Sequence, residues 1–265
     1  MPANKNYRNT SWENSARKYH KIVGEDGHYY HQEVILPKAL ALLKLEPKSS
    51  VLDLGCGQGI FSRAIPKEVE YFGLDISSTL ISKAKQLATS KRASFKVQDL
   101  TLDFTLPKTD FTHCVIILAL QNIENLGAVL ANACSHLASG GKFLMVINHP
   151  AFRIPRQTAW GIDDKNKIQY RQVNRYMSPL KIPIDMAPGT AEGKQLTWSF
   201  HYPLSHYANA LCTHGFVIEN IEEWVSNKES VGKHAKMENR SREEFPLFMA
   251  ILAEKSKKVA SKQVS

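Results

Sequence analysis

The stretch that most constrains this fold is residues 51–59, Val-Leu-Asp-Leu-Gly-Cys-Gly-Gln-Gly, where a short apolar run is followed by three glycines at alternate positions. We expect the run to be a buried parallel strand, and the glycines to be a tight turn into a helix over residues 60–65. Glycine adopts positive φ at no steric cost and lets a ligand approach the bare backbone. The first N–H groups of the helix then favour a carboxylate or a phosphate. The stretch therefore predicts a ligand site at the end of a strand.

The spacing of the glycines separates three kinds of ligand site. A P-loop ends in Gly-Lys followed by Ser or Thr, but Gly59 is followed by Ile60 and Phe61. The dinucleotide fingerprint G-x-G-x-x-G, counted from Gly55, has Ile60 at its last position and also fails. The remaining pattern, D-x-G-x-G-x-G from Asp53, resembles motif I of the class I S-adenosylmethionine-dependent methyltransferases. The alternatives are an ordinary strand-to-helix turn in another α/β protein and, less favoured, an NAD(P)-dependent oxidoreductase.

Two further predicted strands end in an acid. Residues 69–75 end at Asp75 and residues 95–99 end at Asp99. Ligands of open α/β sheets bind outside the carboxyl ends of the strands, so these acids should meet Asp53 at one edge. S-adenosylmethionine carries hydroxyl, amine and ammonium donors that suit carboxylates. Asp75 follows Asp53 by about 20 residues, the spacing at which an acid meets a ribose in βαβ folds.

The resemblance implies a cofactor role for each matching position. Asp75 would bind both ribose hydroxyls, and Ile76 would lie against the adenine ring. Trp12 and Tyr19 would cover the cofactor from the N-terminal helices, or merely pack those helices onto the domain. The implied S-adenosyl-L-methionine site consists of Tyr19, Asp53, Gly55, Cys56, Gly57, Asp75, Ile76, Gln98, Asp99, Leu100 and Leu118.

The rest of the chain predicts an α/β, Rossmann-like, seven-stranded and mostly parallel sheet with helices on both faces. An N-terminal helical cover (residues 1–45) precedes the cofactor-binding core (46–150). A helix over residues 126–137 should be stopped by Gly140 and Gly141, before a fifth strand over 142–148. A lid insertion (151–200) follows; its residues 151–193 show no clean period and hold several arginines. The C-terminal part of the sheet (201–254) and a disordered basic tail (255–265) complete the chain.

The motif after the fourth predicted strand narrows the chemical class of the methyl acceptor. Relatives that methylate exocyclic or amide nitrogens carry Asn/Asp/Ser-Pro-Pro-Tyr/Phe there, whereas this chain has Leu-Gln-Asn-Ile at residues 120–123. The Pro-Cys nucleophile of cytosine-C5 enzymes is absent from the sequence. Together with a lid, this favours a small-molecule acceptor, acidic or phenolic because of the arginines. An RNA methyltransferase that uses the net charge of +9 is the alternative.

A general base is needed only if the acceptor must lose a proton. His149, just after the fifth strand, is the candidate, with His28, His31, His201 and His206 as rivals. No spacing of histidines and carboxylates indicates a metal site, so no metal is predicted.

The sequence also bears on the cellular compartment. No apolar run is long enough to span a bilayer, and the N-terminus lacks the apolar region of a signal peptide. The four cysteines are scattered, which is typical of reduced thiols. We therefore expect a cytoplasmic protein.

Overall fold

The computed structural model describes Trp12, Glu13, Ala16 and residues 23–25, 27–185 and 196–257. The strands in chain order are β1 (Ser50–Leu54), β2 (Glu70–Asp75), β3 (Ala93–Val97), β4 (Phe111–Ile117), β5 (Leu137–Asn148), β6 (Thr158–Asp163), β7 (Ile168–Val173), β8 (Leu180–Asp185), β9 (Leu196–His201), β10 (Phe216–Trp224) and β11 (Phe248–Lys255). The helices are α1 (Leu36–Leu43), α2 (Ile60–Ala64), α3 (Ser78–Leu87), α4 (Leu126–His136), α5 (Leu204–Thr213) and α6 (Ala235–Glu244). A π-helical segment, His31–Ile35, precedes α1, and a 3₁₀ helix, Leu120–Asn122, follows β4.

Seven strands form one sheet in the order β10-β11-β5-β4-β1-β2-β3, which confirms the predicted fold class. The first five strands of the chain pair in parallel, while β11 is antiparallel to both β5 and β10. The most apolar strand, β4, lies in the middle. Its Cys114 and Ile116 pack on one face and Val115 on the other, as a doubly covered parallel strand requires.

Helices cover both faces of the sheet. On one face α4 and α5 bury an apolar stripe that includes Val129, Leu130 and Leu211. On the other face lie α1, α2 and α3, with Leu43 and Phe61 in the core. Each such side chain stabilises the fold by about 1.5–3 kcal/mol. The two layers fix the positions of the strand ends where the candidate site lies.

Helix α3 begins at the carboxyl edge of the sheet and is capped by Ser77. The Ser77 hydroxyl accepts a hydrogen bond from the Leu80 N–H at 3.2 Å. The Glu13 carboxylate, from the N-terminal segment, accepts hydrogen bonds from the hydroxyls of Ser77 (2.8 Å) and Thr79. A carboxylate is favoured at a helix N-terminus by the orphan N–H groups and the helix dipole. These bonds tie the N-terminal segment to the carboxyl edge of the sheet.

The glycines after α4 do not stop the helix, contrary to the prediction. Helix α4 ends at His136, and β5 begins at the next residue and includes Gly140 and Gly141. The pairing of β5 with β4 is irregular beside Phe111. A Cβ at Gly141 would lie only 2.9 Å from the Ala138 carbonyl oxygen. The glycines therefore accommodate an irregular strand, in the way that a β-bulge does.

Residues 158–185 are more regular than predicted. They contain the antiparallel ribbon β6–β7 and the strand β8, which pairs with β9, where the sequence suggested an aperiodic lid. Large apolar side chains lie on both faces of β6–β7 and remain exposed, so the ribbon has no single buried face that would mark it in the sequence. Helix α6 was also missed, because Ser241 is its single buried residue.

The start of the predicted basic tail is ordered. Lys255 lies in β11, and its Nζ donates to the Leu137 carbonyl at 2.7 Å. Residues 258–265 lie outside the described residues.

Candidate active site

A cavity of about 330 Å³ opens at the carboxyl ends of β1, β2, β3 and β4. Seven of the predicted cofactor residues line it: Gly55, Gly57, Asp75, Ile76, Asp99, Leu100 and Leu118. Further lining comes from Trp12 and Thr101, from the 3₁₀ helix and from the β8–β9 ribbon. The cavity therefore lies where the sequence predicted a ligand site.

The glycine turn forms one side of the cavity. Gly55, Gly57 and Gly59 all have positive φ, at 79°, 54° and 75°. The N–H of Gly55 donates to the Leu74 carbonyl at 2.7 Å, which joins the turn to β2. A Cβ on Gly55 would lie 2.5 Å from the Cβ of Ala119, closer than two carbon atoms can pack. Only glycine fits this position, and it leaves the backbone open to a ligand.

Asp75 connects the glycine turn to α3. One carboxylate oxygen accepts the Gly57 N–H and the other accepts the Ser77 N–H, both at 2.9 Å. Burial raises the pKa of Asp75, while the two backbone hydrogen bonds act in the opposite direction. Each carboxylate oxygen has capacity for a second hydrogen bond. Asp75 therefore has two fixed acceptors beside the cavity, which suits a vicinal diol.

Asp99 is fixed in a similar way after β3. Its Oδ1 accepts the N–H and the hydroxyl of Thr101, at 2.9 and 2.7 Å. Gln98 does not line the cavity; its side-chain amide donates to the Asp99 carbonyl at 3.0 Å, and its N–H donates to the Asp75 carbonyl at 2.8 Å. Sequence reasoning missed Thr101, although Asp followed two residues later by Thr is an Asx-turn pattern.

Asp53 and Cys56 lie beneath the glycine turn. Neither lines the cavity, and Asp53 is 2% exposed. The Tyr71 hydroxyl donates to Asp53 Oδ2 at 2.5 Å. Burial raises the pKa of Asp53 to about 7. The hydrogen bond from Tyr71 lowers this pKa, and the charge of Asp75 raises it further. The Asp53 and Cys56 side chains therefore support the turn from below in this structure.

Replacing Asp53 by Asn should change how stability depends on pH. Because the folded-state pKa of about 7 exceeds the usual value of 3.8, the folded protein binds this proton more tightly than the unfolded chain. The stability that the folded protein gains from binding this proton is thus complete below about pH 4 and is lost as pH rises towards 7. Urea unfolding should give a smaller fall in unfolding free energy over this range for Asp53→Asn than for the wild type. Equal pH dependence of the two proteins would contradict the raised pKa.

Leu118 follows β4 in a conformation that is uncommon for leucine. Its φ is +53°, and its N–H donates to the Val146 carbonyl at 2.8 Å. Its carbonyl accepts from the side-chain amides of Gln121 (2.9 Å) and Asn122 (3.4 Å). Non-glycine residues with positive φ cluster at functional sites. The strained backbone of Leu118 therefore marks this part of the cavity wall.

The β8–β9 ribbon, largely within the predicted lid insertion, supplies wall residues that the sequence analysis did not single out. Trp198, Phe200 and Lys181 line the cavity together with Glu124. The Lys181 ammonium pairs with the Glu124 carboxylate at 3.0 Å, and lies 5.1 Å from the Trp198 ring centroid and 5.5 Å from that of Phe200. This wall is thus aromatic with one cation and one anion at its edge.

Of the two predicted aromatic cover residues, Trp12 lines the cavity. Tyr19 lies outside the described residues.

His149, the candidate base, does not line the cavity. Its Nδ1 accepts the N–H groups of Ala151 (3.2 Å) and Phe152 (3.3 Å), so the ring proton belongs on Nε2, which meets Glu223 Oε1 at 2.6 Å. Burial lowers the pKa of His149, opposed by the contact with Glu223. Both ring nitrogens are thus engaged in holding the loop after β5, which suits a structural role better than proton removal.

The rival histidines are also absent from the cavity wall, namely His28, His31, His201 and His206. Within the described ranges, no group of three or more His, Cys, Asp or Glu side chains could hold a metal ion. In the same part of the chain, no helix is long and apolar enough to cross a membrane.

Comparison with known proteins agrees with this geometry. A family model described as a methyltransferase domain matches residues 51–141. The chain is 30% identical over 108 residues to an 18S rRNA (guanine(1575)-N(7))-methyltransferase of Saccharomyces cerevisiae, which covers 40% of this chain and 38% of that protein. It is 28% identical over 140 residues to a carboxy-S-adenosyl-L-methionine synthase of Campylobacter hominis, which covers 50% of this chain and 58% of that protein.

Solved structures extend the likeness beyond the matched domain. A crystal structure of an S-adenosylmethionine-dependent methyltransferase from Mesorhizobium loti superposes with a TM-score of 0.65 at 24% identity, covering 84% of this chain and 99% of that one. At that identity the likeness concerns the fold. The chain spans less than two thirds of the curated relatives it matches. Residues 51–141 thus match a methyltransferase domain, and the seven-stranded sheet has the fold of S-adenosylmethionine-dependent methyltransferases.

Proposed function

We propose that the protein transfers the methyl group of S-adenosylmethionine to a compact acceptor that enters the cavity beside Leu118. The observation that carries the proposal is one continuous cavity with two kinds of wall. The glycine turn, Asp75 and Asp99 line one part, and the aromatic side chains of the β8–β9 ribbon line another. The first part suits a nucleoside with a charged amino-acid end, and the second suits an apolar or planar acceptor.

The residues of the first part fit the cofactor by their chemistry. Asp75 would hold the ribose diol and Asp99 the adenine amine, while the bare backbone at Gly55 and Gly57 would approach the methionine end. Asp53 and Cys56 would support the turn that makes this approach possible. When bound, S-adenosylmethionine supplies a methyl group on a positively charged sulfur that leaves readily.

Positioning is the main contribution that we assign to the chain itself. Holding two reactants in line is worth about 7–11 kcal/mol of the barrier. Trp198 and Phe200 would orient the acceptor and exclude water from the reacting atoms. No histidine is among the residues that line the cavity. The site therefore suits an acceptor atom that needs no base, such as a phenolate or a carboxylate.

The second candidate is an RNA acceptor. The similarity to a protein named as an 18S rRNA methyltransferase favours it, as does the net charge of +9. Exposed arginines in the insertion, such as Arg156 and Arg175, would then contact phosphates. We place this candidate second because the cavity wall is predominantly apolar and small, which suits a compact molecule.

Methyl transfer to two separate acceptor pools distinguishes the candidates. The enzyme is incubated with methyl-labelled S-adenosylmethionine and either a protein-free small-molecule extract or purified total RNA. We expect label in the small-molecule pool, with a shallow dependence on salt. Label confined to RNA, with binding that falls by about 10³ to 10⁵ between roughly 50 and 200 mM salt, would favour the RNA acceptor instead. Asp75→Ala should lower transfer to either pool and is the control for background labelling.

A further inference from the structure

A second group of polar residues lies where β5 and β11 meet at the carboxyl edge of the sheet. Arg153 follows β5, and its N–H donates to the His149 carbonyl at 2.8 Å. Its guanidinium carbon lies 6.0 Å from the ring centroid of Phe248, at the start of β11. The Tyr30 ring lies 5.9 Å from the same Phe248 ring. Arg153 and Tyr30 therefore both pack near the Phe248 ring, and neither lines the cofactor cavity.

The guanidinium of Arg153 has no hydrogen-bond or ion-pair partner among the described residues, although the side chain is half-buried. Arg171, on the neighbouring β7, is different. Its Nε donates to the Phe152 carbonyl at 2.9 Å and its Nη2 donates to the Thr158 hydroxyl at 2.7 Å. A partly desolvated charge without a partner is costly, because water no longer solvates it fully. Burial correspondingly lowers the pKa of Arg153.

Other donors lie near Tyr30 and His28, and no carboxylate of the described residues pairs with Arg153 or Lys228. The Lys228 ammonium lies 5.1 Å from the Tyr30 ring centroid, and the Tyr30 hydroxyl is 3.1 Å from Ser226 Oγ. Arg153 and Lys228 together lower the pKa of His28, after the larger effect of burial. His31, which is 7% exposed, has a buried Nδ1 with no hydrogen-bond partner in the described part of the chain. The group is thus cationic and rich in donors.

The order of the strands places this group beyond the reacting end of the cofactor site. Asp75 and Asp99 lie at β2 and β3, and Leu118 lies at β4. The next strands are β5 and β11; Arg153 follows β5, and Phe248 begins β11 at the same edge. Neighbouring strands are about 4.8 Å apart, so β11 lies about 19 Å from β2. The strand order therefore places Arg153 on the side of Leu118 that is away from the two acids.

We propose that Arg153, assisted by Lys228 and Tyr30, binds a carboxylate of the methyl acceptor. This inference rests on the proposed function. The guanidinium offers two parallel N–H donors that match a carboxylate, and Lys228 adds a second positive charge. The methionine carboxylate of the cofactor has the same chemistry, but it belongs to a molecule whose ribose we place at β2. The site therefore selects acceptors that carry an acidic group at a distance from the methylated atom.

The test uses benzoate, with uncharged benzamide as its matched probe, on protein saturated with S-adenosylhomocysteine. Calorimetry is performed on the wild type, Arg153→Gln, Lys228→Gln and the control Arg156→Gln, which removes an exposed arginine of the same loop. We expect Arg153→Gln to weaken benzoate binding by about 10- to 100-fold and Lys228→Gln to weaken it less. Arg156→Gln should bind benzoate like the wild type, and benzamide should not distinguish the proteins.

Each contrary result has a separate meaning. Benzoate that binds equally to the wild type and Arg153→Gln, or that binds to neither, overturns the proposed site. A loss of S-adenosylhomocysteine affinity in Arg153→Gln, with benzoate binding unchanged, assigns the cluster to the cofactor carboxylate and also overturns it. Failure of the wild type to bind S-adenosylhomocysteine is instead a failure of the proposed function. If Arg153→Gln does not fold, the exposed Lys228→Gln variant provides the same comparison, and unchanged benzoate affinity in that variant contradicts the proposal.

Discussion

Asp75→Ala should weaken the binding of S-adenosylhomocysteine by about 10- to 100-fold, the loss expected for charge-assisted hydrogen bonds of about 1.5–3 kcal/mol. The carboxylate is 9% exposed, lines the cavity, and is held by the N–H groups of Gly57 and Ser77. Its removal takes away both proposed ribose acceptors and leaves those two N–H groups without a partner. Calorimetric titration of the variant against the wild type measures the loss.

Asp103→Ala is the matched control for this experiment. Asp103 is an exposed carboxylate after β3 and does not line the cavity. Its replacement removes the same charge while leaving the glycine turn unchanged. We expect its affinity to stay within about 2-fold of the wild type, because an exposed charge is largely screened. If a folded Asp75→Ala protein binds as tightly as Asp103→Ala, then Asp75 does not belong to the cofactor site.

Gly55→Ala should produce the largest loss of stability, together with loss of cofactor binding. The new Cβ would lie 2.5 Å from that of Ala119, and φ at this position is +79°. The left-handed conformation costs about 1–2 kcal/mol, and overpacking adds about 1–3 kcal/mol. Thermal and urea unfolding measure the combined effect on stability. Titration with S-adenosylhomocysteine measures the loss of binding affinity at the glycine turn.

Two further variants separate these costs. Gly24→Ala places a Cβ at a similar φ of +70° with no atom within 4 Å, so it should show the conformational cost alone. The double variant Gly55→Ala/Ala119→Gly removes the close contact and should recover about 1–3 kcal/mol relative to Gly55→Ala. Equal stability of Gly55→Ala and Gly24→Ala would show that the contact with Ala119 is unimportant.

The sheet and one side of the candidate site could be predicted because their signals are local. A buried strand, an acid at its end and glycines at alternate positions are visible within residues 51–59, and the next two strands repeat the acid. Parallel strands must deliver their carboxyl ends to one edge. Gly55, Asp75 and Asp99 therefore came together at the cavity as expected.

Side chains whose surroundings depend on distant residues could not be predicted. Asp53 lies beneath the turn because Tyr71, on β2, donates to it, and His149 faces Glu223, on β10. The residues next to Asp53 and His149 in the sequence give no sign of either partner. The β8–β9 wall was missed for a related reason. Apolar residues alternate in β9, but its pairing with β8 and its place beside the cavity depend on residues distant in the sequence.

Titration of the wild type with S-adenosylhomocysteine and, separately, with NAD(H) tests the central claim most directly. The glycine spacing, the fixed carboxylate of Asp75 and the cavity beside Leu118 all favour the first ligand. We predict saturable binding of S-adenosylhomocysteine and none of NAD(H) at the same concentrations. Binding of NAD(H) without binding of S-adenosylhomocysteine would contradict the account.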